Sequence, residues 1–160
     1  MERTAGVLTA SDAGARGERA DTSGDWLAQR LATAYTVVAR AVVPDAVDAI
    51  EAVLREWVDR GIRLIVITGG TGLGPRDVTP EAVRRVITRE VPGLAEAMRA
   101  KTWDRTPQAM LSRQVAGAVG ATLILALPGS PRAVQECLEV VWPVLPHALD
   151  LLAGHTRHGP

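Results

Sequence analysis

Four glycines fall within eight residues in Thr68-Gly69-Gly70-Thr71-Gly72-Leu73-Gly74-Pro75. Glycine lets a backbone approach an anion closely and adopt positive φ angles, so the types and spacing suit phosphate oxygens. A tight turn between strand and helix is the plainer alternative. The loop is not a Walker A loop, since no Lys-Ser/Thr pair follows and the sole lysine is Lys101. Nor is it the dinucleotide fingerprint, because Pro75 stands where the third glycine belongs. Its sequel, Arg76-Asp77-Val78-Thr79-Pro80-Glu81, adds a group that can hold a phosphate and one that should repel it. A carboxylate beside a phosphate cradle is costly unless a cation lies between them. Asp77 therefore points to Mg²⁺ shared between protein and nucleotide phosphates, although Asp77 or Thr79 could instead cap the helix beginning at Pro80. For Thr79 the cap is the favoured reading.

Three further places could join this chemistry. Pro44-Asp45 follows an apolar run, Ser11-Asp12 ends another, and Pro128-Gly129-Ser130-Pro131 closes a third. In open parallel sheets, ligands bind in the crevice at the carboxyl ends of strands, where these residues would lie. On position alone Asp45, Ser11 and Asp12 read more readily as caps or turns. The Pro128–Pro131 loop divides evenly between an anion contact and a rigid turn.

The elements that must position these residues alternate, short apolar runs with helical patterns, which is the signature of an α/β fold. Strands are expected over 5–10, 35–43, 64–67 and 123–127. Leu64-Ile65-Val66-Ile67 lacks polar alternation and suits a strand buried on both faces of a parallel sheet. Asp21, Thr22 and Ser23 are N-cap candidates for a helix carrying Leu27 and Leu31 on one face. Val47, Ile50, Val53, Leu54, Trp57 and Val58 recur at steps of three and four and predict an amphipathic helix. Helices are also expected over 80–90 and 94–100, around Val134–Val141, and in a last short segment ending near Ala153. The stretch from Lys101 to Ala121 has no readable period. Residues 1–153 are expected to form one domain and 154–160 a frayed tail.

Composition narrows the function. The chain has 160 residues, 47% of them apolar and 22% charged, which is the profile of a globular domain. Its 18 basic and 18 acidic residues cancel, which argues against coating nucleic acid or an acidic membrane. No apolar stretch approaches the ~20 residues that span a bilayer. No signal peptide of the usual shape opens the sequence, so a cytoplasmic protein is expected. One cysteine, Cys137, excludes an intramolecular disulfide and a Cys-rich zinc site, and its place on an apolar helix face marks it as core. His147, His155 and His158 form no ligand cluster, and the four tryptophans are too scattered for a stacking platform.

Together the motifs resemble those of the molybdopterin-binding family, which includes the bacterial molybdopterin adenylyltransferases and the G domains of gephyrin and its plant counterpart. Thr68-Gly69-Gly70-Thr71-Gly72 with Pro75-Arg76-Asp77-Val78-Thr79-Pro80-Glu81-Ala82 is similar to the family signature. Leu8-Thr9-Ala10-Ser11-Asp12, Asp21-Thr22-Ser23-Gly24 and Val43-Pro44-Asp45 resemble family segments in the same order. Met110-Leu111-Ser112-Arg113, Leu127-Pro128-Gly129-Ser130-Pro131 and Leu145–Leu152 extend the resemblance over nearly the whole chain.

The resemblance implies a three-layer α/β/α sandwich around a doubly wound, mostly parallel sheet, assembled as a homotrimer. It implies that ATP and molybdopterin, with Mg²⁺, give adenylylated molybdopterin and pyrophosphate. Asp45 and Asp77 match the family's two functional aspartates and would be the catalytic and metal-holding residues. Gly69, Gly70, Thr71, Gly72, Pro128, Gly129 and Ser130 match segments around the pterin and its phosphate. Arg76, Thr79, Ser11 and Asp12 complete the expected substrate site, and Lys101–Leu111 would edge it. An enzyme that inserts molybdenum is an expected partner. The segment from Ser11 to Gly24, with Arg16, Glu18 and Arg19, departs in detail from the family pattern. A non-catalytic molybdopterin-binding paralogue is the alternative reading. A nucleotide hydrolase of the competence/damage-inducible type and a gephyrin-like scaffold rank lower.

Overall fold

The computed structural model describes residues 2–155. Six strands form one sheet: β1 (Thr4–Ala10), β2 (Thr36–Val43), β3 (Leu64–Thr68), β4 (Arg89–Glu90), β5 (Ala116–Val119) and β6 (Thr122–Leu127). Their order across the sheet is β2-β1-β3-β6-β5-β4. The first four in that order are parallel, and β5 and β4 are added antiparallel at one edge. The helices are α1 (Asp12–Ala15), α2 (Thr22–Leu31), α3 (Val47–Asp59), α4 (Thr79–Val86), α5 (Pro92–Thr102), α6 (Pro131–Val141) and α7 (Leu145–Leu152). None is long and apolar enough to cross a membrane.

Strand alternation divides the interior into two cores. Val7, Leu64, Val66, Leu123, Leu125 and Leu127 face one side, with Leu27 and Leu31 of α2, Met98 of α5, and Val134, Leu138 and Leu145 of α6 and α7. Leu8, Ile65, Ile67, Ile124 and Ala126 face the other, with Ile50, Leu54 and Trp57 of α3 and Val83 and Val86 of α4. Without phenylalanine, both cores are built mainly from branched aliphatic side chains. Each fully buried Leu, Ile or Val contributes about 1.5–3 kcal/mol. Burial on both faces of β3 is what its unbroken apolar run predicts. The result is the expected three-layer sandwich.

Two expectations need correction. The helix expected over 80–90 ends at Val86, and Ile87 turns to extended backbone. Arg89 and Glu90 then pair with Ala118 and Gly117 as β4. That pairing was illegible because its partner, β5, lies in the stretch without a readable period. The helix expected over 94–100 is longer at both ends, starting at Pro92 and extending to Thr102 as α5. The last helix ends at Leu152 with Ala153 as its cap, near the expected place. Of the expected tail, residues 156–160, including His158, lie outside the described residues.

The winding direction creates the site. The chain leaves β1 for β2 on one side, then crosses back to β3 on the other. The loops after β1 and β3 therefore diverge and open a crevice at the carboxyl ends of the strands.

Candidate functional site

A cleft of about 670 Å³ occupies this crevice. Thr9, Ala10 and Ser11 reach it from β1, Thr68, Gly69 and Gly70 from β3, and Asp45 from the end of β2. Asp77 comes from the loop before α4. Gly129, Ser130 and Pro131 close it at the start of α6, and Thr22 and Ser23 at the start of α2. Helix starts carry partial positive charge and free N–H groups, so two of them at one cleft suit an anion.

The glycine loop is shaped by its own backbone. Gly69 and Gly70 have φ of +99° and +69°, where a side chain would be strained. A Cβ on Gly69 would collide with the Ala10 carbonyl oxygen, and one on Gly70 with Thr79 Oγ1. Thr79 does not cap α4 through its side chain: it is the first residue of that helix, after Val78, which makes no side-chain cap bond. Its buried hydroxyl donates to the Gly69 carbonyl at 2.8 Å, and its backbone N–H donates to the Gly70 carbonyl at 3.0 Å. The residue read as a cap thus ties the loop down. Thr79→Val keeps the shape but leaves the Gly69 carbonyl without this donor. It should lower stability by about 1–3 kcal/mol, measured by urea unfolding.

Asp12 and Asp45 brace the ends of β1 and β2 reciprocally. The Asp12 N–H donates to Asp45 Oδ2, and the Asp45 N–H donates to Asp12 Oδ1, each at 2.9 Å. Arg76 forks onto Asp12 through Nε and Nη2, at 3.0 and 2.9 Å. That guanidinium holds the Asp12 carboxyl below its ordinary value, with the Asp45 N–H assisting. Asp45 is shifted the other way. Burial raises its pKa, the Asp12 and Asp77 carboxylates add to the rise, and the Asp12 N–H and Arg76 oppose it. Arg76, expected at a phosphate, is exposed and sits on this brace. Ser11 is the N-cap of α1, its hydroxyl accepting the Gly14 N–H at 3.0 Å.

Asp77 folds back on its own loop, Oδ2 accepting the Gly74 N–H at 2.9 Å. In both Asp45 and Asp77 one carboxylate oxygen is thus engaged by backbone, while Oδ1 has no hydrogen-bond donor among the described residues. Among those residues no three His, Cys, Asp or Glu converge on a metal position. Two free carboxylate oxygens suit Mg²⁺, which is bound through one or two carboxylates and completed by phosphate oxygens and water.

The Pro128–Pro131 loop is a turn and a wall of the cleft at once. Ser130 is the N-cap of α6, its hydroxyl accepting the Ala133 N–H at 3.2 Å. The Thr68 hydroxyl donates to the Pro128 carbonyl and the Ser23 hydroxyl to the Gly129 carbonyl, both at 2.8 Å. A Cβ on Gly129 would come within 3.3 Å of the Gly69 Cα, so the two loops meet backbone to backbone.

A second cavity of about 390 Å³ adjoins the first and shares Ser130 with it. Its polar groups include Thr102, Thr106, Gln108, Ser112, Gln114 and the oppositely charged Arg132 and Glu136. The segment without a readable period, Lys101 to Ala121, forms this edge through the end of α5 and a 3-10 helix at Pro107–Leu111. Cys137 borders the cavity but is buried, which pushes its thiol up to about 11, so the core reading holds. Thr71 does not line the main cleft. It is buried, with its carbonyl accepting the Arg113 N–H and its hydroxyl near Ser112.

Sequence reasoning gave no role to two arginines found here. The Arg113 guanidinium donates to the Gly72 and Asp77 carbonyls at 2.9 and 2.8 Å and pairs with Glu81, clamping the loop that carries Asp77. Its place in a motif-like Met-Leu-Ser-Arg run was the only signal. Arg19 lines the main cleft, and it stood out only as part of a segment that departs from the family pattern.

Residues 6–147 match the family model described as a probable molybdopterin binding domain. The chain is 40% identical over 159 residues to the molybdopterin adenylyltransferase of Helicobacter pylori strain J99, covering 94% of this chain and 88% of that enzyme. It is 45% identical over 152 residues to the molybdenum cofactor synthesis protein cinnamon of Drosophila melanogaster. That match covers 93% of this chain but 25% of cinnamon, so the chain corresponds to one part of a much longer protein there. Among solved structures, the molybdopterin biosynthesis enzyme MoaB of Thermus thermophilus superposes with a TM-score of 0.86 at 55% identity. The superposition covers 94% of this chain and 96% of that one.

Proposed function

The chain belongs to the molybdopterin-binding domain family, and from that premise we propose that it transfers AMP from ATP to the terminal phosphate of molybdopterin, releasing pyrophosphate. The observation that carries this reading is that two cavities meet at Ser130, and that the larger of them is also lined by Asp45 and Asp77. Such a layout suits a reaction that joins two bound phosphates. The nucleotide occupies the larger cleft and the pterin the smaller cavity. Residues 1–153 act as one domain for this purpose.

The attacking phosphate is already anionic, so the chain need not supply a strong base. It has to bring two mutually repelling phosphates into line and offset their charge. Asp45 and Asp77 would hold Mg²⁺, which when bound supplies charge neutralisation at the α-phosphate and the leaving group. The Gly69–Gly72 loop brings backbone within reach of the phosphates, and the starts of α2 and α6 add positive potential. Thr79 and Arg113 keep the loop in shape, and Pro128–Ser130 separates the two substrates while leaving them in contact. Arg76 steadies Asp45 through the Asp12 brace.

The test mixes purified protein with molybdopterin, ATP and Mg²⁺ and follows adenylylated molybdopterin by mass. Product supports the transferase. Bound molybdopterin without product would make the chain a non-catalytic binder. A homotrimer in the cytoplasm, handing product to a molybdenum-inserting enzyme, completes the proposal. Sedimentation equilibrium at micromolar concentration should give three chain masses; a single chain mass would refute the trimer.

A further inference from the structure

The main cleft has three acidic side chains on its lining, Asp21, Asp45 and Asp77, and, among the described residues, one cationic side chain, Arg19. Asp21 is occupied. It caps α2, accepts the Thr9 hydroxyl, and pairs with Arg40 at 3.0 Å. The neighbouring Arg16 and Glu18 pair with each other. Arg19 is exposed and makes no ion pair or side-chain hydrogen bond among the described residues.

Its position is set by backbone. The single turn of α1 ends in a Schellman arrangement, with the Gly17 N–H donating to the Gly14 carbonyl and the Glu18 N–H to the Ala13 carbonyl. Gly17 supplies the left-handed residue, at φ +75°. The chain leaves this turn in a fixed direction and passes along the cleft wall at Arg19 and Ala20 before α2 begins. The chain leaving this turn therefore brings an uncommitted guanidinium to the cleft wall, in the same cleft as the carboxylates that would carry the cation.

On the adenylyl-transfer reading above, we propose that Arg19 receives the departing pyrophosphate. In that step a bond forms between a molybdopterin phosphate oxygen and the α-phosphorus of ATP. The bond from the α-phosphorus to the bridging oxygen breaks, and the electron pair leaves on the pyrophosphate. Negative charge grows on the leaving group, and a guanidinium can meet it with two parallel hydrogen bonds. Ground-state ATP already offers the same diphosphate as its β- and γ-phosphates, so Arg19 contributes to binding as well as to departure.

Calorimetry of the whole chain with magnesium pyrophosphate, ATP and AMP tests this directly. Arg19→Ala should weaken pyrophosphate and ATP roughly tenfold, the loss of about one charge-assisted hydrogen bond, and leave AMP unchanged. Arg19→Lys should recover part of the loss. In turnover assays Arg19→Ala should raise the KM for ATP and relieve pyrophosphate inhibition without moving the KM for molybdopterin. Equal pyrophosphate affinity in wild type and Arg19→Ala overturns the proposal, as does an equal loss for AMP. The outcome is separable from the proposed function. Product from the wild type with unchanged pyrophosphate binding in the variant rejects Arg19 alone. No product, with pyrophosphate binding that depends on Arg19, rejects the transferase and keeps the diphosphate site.

Discussion

Asp77→Asn is expected to lower turnover roughly a hundredfold to a thousandfold, the scale of removing one preorganised electrostatic contact, while molybdopterin binding survives. The substitution is informative because of what it preserves. Asp77 Oδ2 accepts the Gly74 N–H, and the asparagine carbonyl oxygen can keep that bond. The Arg113 clamp on the Asp77 backbone carbonyl is also untouched. Loop shape is therefore retained and only the charge is lost. Asp77→Ala removes both, and its excess effect over Asn measures the loop-shaping part. Unchanged turnover in Asp77→Asn would remove Asp77 from the chemistry.

The second large effect is expected at Asp45 and has two opposite signs. Asp45→Asn removes one of the two charges that would hold Mg²⁺ and should lower turnover and Mg²⁺ affinity by at least the roughly tenfold to hundredfold seen when even an outer-shell group is lost. The same variant, in chelator, should melt at a higher temperature than the wild type at neutral pH. Burial raises the Asp45 pKa above the ordinary 3.8, so the folded state binds this proton more readily than the unfolded chain. Stability from this group is then greatest at low pH and is lost as pH rises through the folded value. Asparagine escapes that cost and can still accept the Asp12 N–H. The gain in melting temperature should shrink as pH falls through the raised value toward 3.8. A gain independent of pH would show that ionisation of Asp45 is not its source.

Much of the fold was legible because its strongest patterns are local. The apolar run at Leu64–Ile67, the helical period at Val47–Val58 and the glycine-dense loop each signal their state within a few residues. What escaped depends on partners far along the chain. Arg89 and Glu90 become a strand only because Gly117 and Ala118 lie beside them. The Thr79 hydroxyl would cap a helix in isolation, yet the Gly69 carbonyl ten residues earlier claims it. Asp45 shows the same limit at the site. Its place at a strand end was evident, but its brace with Asp12, 33 residues away, was not. Arg19 sits in no periodic or motif-like pattern, since its significance is only that no described residue neutralises it.

The contact between the Gly69 and Gly129 loops bears on how this cleft can change. Where these loops meet, its floor is main chain against main chain, held by the hydroxyls of Thr68, Ser23 and Thr79. A surface without side chains offers mutation nothing to exchange, only bulk to add. In a saturation scan, substitutions at Gly69 and Gly129 should therefore rank by size and scarcely by polarity or charge. Positions 18–20 and 102–112, which bear side chains at the borders, should rank by chemistry instead. New substrate preferences would arise along those borders, while the floor persists as the part selection can damage but not retune.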